Sequence, residues 1–190
     1  MTVRSLQPAP SRTWRAVTTL VLSMMFSSSL ATAQGYPFSQ RGTVSQTVAF
    51  TNIAIEYGRP TARGRALFGA LVPWDSVWHP GADSATHITI TRDIELEGQM
   101  VKAGKYTVWL VPREHAAWTF ILNRSTGIQH TPYPGTASDV LRVEVMPEQL
   151  SHVETVQYNF PMVLRDAAQL RLQWGTTAIT LKLRAPYRPG

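Results

Sequence analysis

No cysteine occurs among the 190 residues. That absence excludes a disulfide scaffold, a thiolate nucleophile and every cysteine-ligated zinc or iron–sulfur site. Charge is sparse as well, 16% of residues against 44% hydrophobic, yet enough apolar side chains remain to build a core and exclude a disordered chain. Lysine is nearly missing: arginine supplies fifteen of the eighteen basic residues, scattered rather than clustered. With no basic run interleaved by stacking aromatics, the net charge of +6 carries no nucleic-acid signature. Long helical periodicity is also lacking, since no window repeats apolar residues at i, i+3, i+4 and i+7 over three turns.

What is present begins with a distinct N-terminal stretch. Arg4, Arg12 and Arg15 open it without an acid, Ala16 to Leu30 is uncharged and apolar, and Ala31-Thr32-Ala33 precedes Gln34. This is the three-part layout of a secretory signal peptide. Residues 1–33 are therefore read as a signal peptide, with a retained N-terminal anchor as the alternative. Residues 34–190 are read as a single β-sandwich domain. Cleavage would remove three arginines and no acid, bringing the net charge from +6 to +3, an ordinary value for a domain of this size. An exported chain without thiols suits a periplasmic or extracellular-facing location.

The remaining chain alternates with the period of strands. Thr43 to Phe50, Asn52 to Tyr57, Thr86 to Arg92, Trp118 to Leu122, Asp139 to Met146, Val153 to Phe160, Gln169 to Trp174 and Thr177 to Leu183 all follow that pattern. Ile94 to Val101 holds a turn at Glu97-Gly98-Gln99, and Lys105 to Val111 is apolar on both faces, as a central strand should be. The expectation is an all-β, mostly antiparallel sandwich or jelly-roll-like fold of about ten strands. Helix is limited to single turns at Ala66 to Val72 and Glu148 to Ser151. Two long loops, Gly58 to Gly81 and Asn123 to Ser138, are rich in proline and glycine and are expected to face a partner or carry function.

The segment Tyr57-x-Arg59-Pro60, Arg63-Gly64-Arg65, Phe68-Gly69-x-Leu71-Val72-Pro73, Val77-Trp78 and Gly81-Ala82, followed by Ala103-Gly104-x-Tyr106 and Trp118, resembles a family of exported bacterial β proteins. It is the domain-of-unknown-function family numbered twenty-nine eleven. The resemblance spans roughly Val44 to Leu183 and implies an exported β-sandwich-like domain, signal-bearing or lipid-attached, with no agreed activity. The chain departs from the family pattern at His79 and Asp83, where Arg and Asn are more usual.

Candidate site residues concentrate in the first loop. Arg59, Arg63 and Arg65 can clamp an anion or can brace the loop through carbonyls and Asp75 or Asp83, and bracing is preferred because no phosphate-binding glycine motif accompanies them. Trp74 and Trp78, four apart, can anchor an interface, offer a sugar platform, or cap the open end of the sandwich. The five histidines show no metal-ligand spacing, and His79, Asp83 and His87 cannot share a helix across Pro80-Gly81. No G-x-S-x-G occurs, and Glu95 and Glu97 are expected to share one solvent-facing strand face rather than form a glycosidase pair.

These readings combine into an exported, non-catalytic binding or structural module, an accessory subunit of a periplasmic or membrane-attached complex. No cofactor and no metal are called for, and nucleic acid is not a partner. A protein partner is expected, with membrane contact only through residues 1–33 if they are retained. The alternative is an envelope enzyme, metal-assisted or carbohydrate-active, working around His79 and Asp83.

Overall fold

The computed structural model describes residues 39–128 and 131–186. The signal or anchor read into residues 1–33 lies outside the described residues, as does His130. Among the described residues ten strands form: β1 (Arg41–Val48), β2 (Thr51–Gly58), β3 (His87–Ile90), β4 (Ile94–Leu96), β5 (Gln99–Val101), β6 (Gly104–Val111), β7 (Trp118–Asn123), β8 (Asp139–Val145), β9 (Glu148–Val163) and β10 (Ala167–Arg184). They make two antiparallel sheets, one ordered β1-β2-β3-β6-β7-β8 and the other β5-β4-β10-β9. The all-β sandwich of about ten strands expected from the alternation is the fold.

One core fills the space between the sheets. The six-stranded sheet contributes Ile53, Ile55, Ile88, Ile90, Val108, Leu110, Phe120 and Leu122, and the four-stranded sheet Leu96, Val156, Tyr158, Leu170, Ile179 and Leu181, all buried. Along β2 the intervening Asn52, Ala54 and Glu56 face away, as a half-buried strand requires. β6 is buried on both faces: its odd positions Trp109 and Val111 join Ile121, Ile128 and Tyr133 in a second cluster on the outer side of the sheet. The loop after β7 supplies that cover, which is why Lys105 to Val111 reads as apolar on both faces.

The structure corrects four local expectations. Glu148 to Ser151 is not a helical turn but the start of β9, paired with β10 through Glu148 and Ala178. Gln169 to Trp174 and Thr177 to Leu183 are one strand, not two. Register shifts around Gly175 (φ 61°) insert a bulge, so the core-facing positions are even from Ala168 to Trp174 and odd from Ile179 to Leu183. A slip of one residue would otherwise turn half of the strand outward. Phe50 lies beyond β1, in the turn to β2, and Glu97 sits in the β4–β5 turn with φ 48° rather than on a strand face with Glu95.

Candidate functional site

The arginine-bearing loop leaves the six-stranded sheet at Gly58 and crosses to the free edge of β9. There the Ala62 amide donates to the Glu154 carbonyl (2.7 Å) and the Val156 amide to the Pro60 carbonyl (3.0 Å). Thr61 thus pairs with Thr155 like a fragment of an extra strand, which covers an edge that would otherwise be open. Arg59 lies along this junction and donates from Nη2 to the Thr155 hydroxyl (3.1 Å). Arg65 turns back on its own loop, giving Nε to the Ala62 carbonyl (2.9 Å) and Nη2 to the Thr61 carbonyl (2.6 Å). The Arg63 backbone, at φ 54°, donates its amide to Glu154 Oε1 (2.7 Å). The loop carbonyls take up the Arg65 fork as bracing requires. The acids named as bracing partners do not join in: Asp75 lies 3.9 Å from Arg113 instead, and Asp83 is exposed in a left-handed turn at φ 64°.

Past Arg65 the chain does not form the expected helical turn. Leu71 and Val72 donate to the carbonyls of Ala66 and Leu67, and Gly69 returns a bond to Val72, a wider loop than an α-turn. Gly69 (φ 85°) is required because the Trp74 indole occupies the space of a Cβ at that position. The loop points Phe68 into an aromatic group: Trp118 lies 4.7 Å away by ring centroid, Trp78 5.7 Å, Trp74 6.3 Å and Trp174 6.4 Å. Trp78 stacks on Trp174 at 5.9 Å and 13°. Trp74 and Trp78 therefore meet through Phe68, not side by side on a helix. Backbone bonds in both directions between Trp78 and Leu110 fix this part of the loop to β6.

A cleft of about 570 Å³ opens where the loop meets β9 and the β10 bulge. Its apolar side is Leu67, Phe68, Trp74 and Trp174, and its polar side is Arg65, His152, Glu154 and the threonines that follow Gly175. Of the candidates the sequence offers, the cleft brings together Arg65, for which bracing is the preferred reading, and Trp74, a contact or capping residue. Sequence reasoning missed His152, Glu154 and Trp174, which come from strands about ninety residues further along and carry no local motif. Glu154 bonds His152 Nε2 (3.0 Å) and the Arg63 amide, and those hydrogen bonds hold its carboxyl below the usual range. It is therefore an ionised acceptor and not a proton donor. The Trp174 indole Nε1 is buried without a hydrogen-bond partner. Such an arrangement can hold an apolar group against aromatic rings while its polar neighbours meet charged rim residues.

His79 and Asp83 receive different surroundings. His79, although it lies in a loop, is 5% exposed and packed 5.8 Å from the Trp109 ring. The Thr86 amide donates to its Nε2, which places the ring proton on Nδ1 and leaves Nε2 unavailable as a base. Nearby, the Thr86 and Tyr158 hydroxyls donate to the Pro80 carbonyl (3.2 and 2.9 Å), closing the turn that carries His79. A second polar group went unnoticed in the sequence. Asp139, its side chain 6% exposed, accepts from Tyr133 (2.6 Å), Arg142 (2.7 Å) and Asn123 (2.8 Å). Burial and the Asp139 bond push the Tyr133 phenol up to about 12. This group pins the loop after β7 over Trp109. Among the described residues no cluster of three or more His, Asp or Glu is placed to hold a metal ion.

A family model described as "Protein of unknown function (DUF2911)" matches residues 39–183. No curated protein and no solved structure matches the chain.

Proposed function

The chain belongs to this DUF2911 family, and on that premise we propose that it is an exported, non-catalytic binding module, an accessory subunit of an envelope protein complex. The observation that carries the reading is the cleft between the loop and the β10 bulge. There Phe68 and Trp74 are only half-buried against the buried Trp174, and Arg65, His152 and Glu154 rim them. A buried aromatic pocket with a charged rim is the usual anchor for one apolar side chain of a protein partner. The arginines support binding indirectly: their bonds to Thr61, Ala62 and Thr155 hold the loop in the shape that forms the cleft.

Thr176 lines the cleft from an exposed position next to the bulge. Thr176→Trp would fill the mouth without entering the core. The expected outcome is an unchanged melting temperature together with at least a tenfold loss of partner retained on native purification. Full retention by this folded variant would overturn the reading.

A further inference from the structure

We propose that β1 is an edge through which two copies of this chain associate, their β1 strands pairing antiparallel about a two-fold axis at Val44. This goes beyond the cleft reading, since no residue of β1 lines the cleft. β1 ends its sheet and pairs only with β2 among the described residues. Its eight residues keep register with β2 without a shift, so the edge is long and regular. Which backbone groups face outward follows from Asn52. It lies opposite Thr47, but its amide donates to the Thr91 hydroxyl (2.8 Å) and its carbonyl accepts from the Thr91 amide (3.1 Å). Thr47 therefore bonds neither group. Alternation along an antiparallel pair then leaves the N–H and C=O groups of Arg41, Thr43, Ser45 and Thr47 on the outer edge. The Thr47 carbonyl accepts from the Gln46 side chain (2.9 Å), an exposed bond that an incoming strand can replace.

The other sheet edges are guarded and β1 is not. Thr61 covers part of the β9 edge, β8 carries Asp139, Arg142 and Glu144, and β5 is three residues long. β1 has no proline, no lysine and no bulge, the devices that keep an edge from pairing with another strand. Charge identifies a second copy as the occupant. Arg41 is the sole charged residue of the strand, so nothing from Gly42 to Val48 repels an identical edge. The axis at Val44 also matches side chains on both faces. It sets Val44, only half-buried at the rim of the core, against Val44 of the second copy. On the outer face it sets Thr43 opposite Ser45 of the second copy, a hydroxyl pair of the kind that stabilises cross-strand neighbours. Arg41 falls opposite Thr47 of the second copy, far from the other Arg41. A single strand pair covers less than the roughly 800 Å² that each partner buries in a stable interface, so the dimer is concentration-dependent rather than permanent.

The lack of cysteine allows a test of register as well as of association. Arg41→Cys and Thr47→Cys, purified separately and mixed under mild oxidation, should form a disulfide-linked heterodimer. Opposed residues in such a pair lie about 5.5 Å apart between Cα atoms, within disulfide reach. Neither variant alone should cross-link, because its own copy sits roughly 20 Å away along the ladder. Sedimentation of the unmodified protein should show the mass rising towards twice that of the chain as concentration increases. Ser45→Lys places a charge at an exposed edge position. It should stay a monomer at the same concentrations and melt like the unmodified protein in dilute solution. A monomer at every concentration, or a doubling that survives in Ser45→Lys, would overturn the proposal. Equal cross-linking in the mixed and the single-variant samples would also overturn it, by showing collision instead of pairing in register.

Discussion

Trp109 shows how a side chain on the outer face of a sheet can still be buried. It faces away from the main core, yet it is 1% exposed because Ile121 beside it and Tyr133 from the following loop enclose it, the latter at 5.2 Å by ring centroid. Its indole donates to the Thr107 hydroxyl (3.0 Å), so its one polar atom is satisfied. Trp109→Ala should cost roughly 3–5 kcal/mol in chemical denaturation, as removal of a buried large aromatic does. A loss below about 1 kcal/mol would mean that the loop does not cover this face. Burial at Trp109 was legible because Val108, Leu110 and Val111 make its strand apolar on both faces. His79 was not legible: its burial depends on an amide seven residues later and on a ring in β6, neither of which local composition encodes.

The loops and strands around such residues are held by polar groups that reach across elements. The loop after β7 is the clearest instance, since Tyr133, Asn123 and Arg142 all converge on Asp139 at the start of β8. With the Tyr133 phenol raised to about 12, this group favours the protonated phenol. A raised pKa gives stability that is fully present below the ordinary phenol value of about 10 and lost as pH rises through the folded value. Ultraviolet titration should therefore show Tyr133 ionising late, alongside the buried Tyr158, whose phenol is also raised. In Tyr133→Phe one late-titrating phenol should vanish, and with it part of the alkaline loss of stability. A variant that keeps both late phenols would contradict the account of this loop. Strand positions were largely legible from alternation. The merging of two segments into β10 was not, because a bulge at Gly175 changes which parity faces the core and mimics a break. Glu148 to Ser151 misled for a related reason: its composition suits a helical turn, and only pairing with β10 makes it strand.

Across the whole molecule, the two sheets and their shared core explain the sequence pattern, while function rests on what the fold brings together. Arg65 and Trp74 come from the first long loop, Glu154 from β9 and Trp174 from β10, and the cleft exists only where these meet. The sequence therefore announced half of the site, the half written in one continuous segment. The other half was hidden in strands whose alternation only advertised a core. The central claim is that this cleft receives a protein partner, and photo-crosslinking in cells that make the protein tests it most directly. A benzophenone side chain at Thr176 should yield one discrete adduct heavier than the chain, and the same probe at Leu71, outside the cleft lining, should not. Absence of an adduct from position 176, or the same adduct from both positions, would contradict the account.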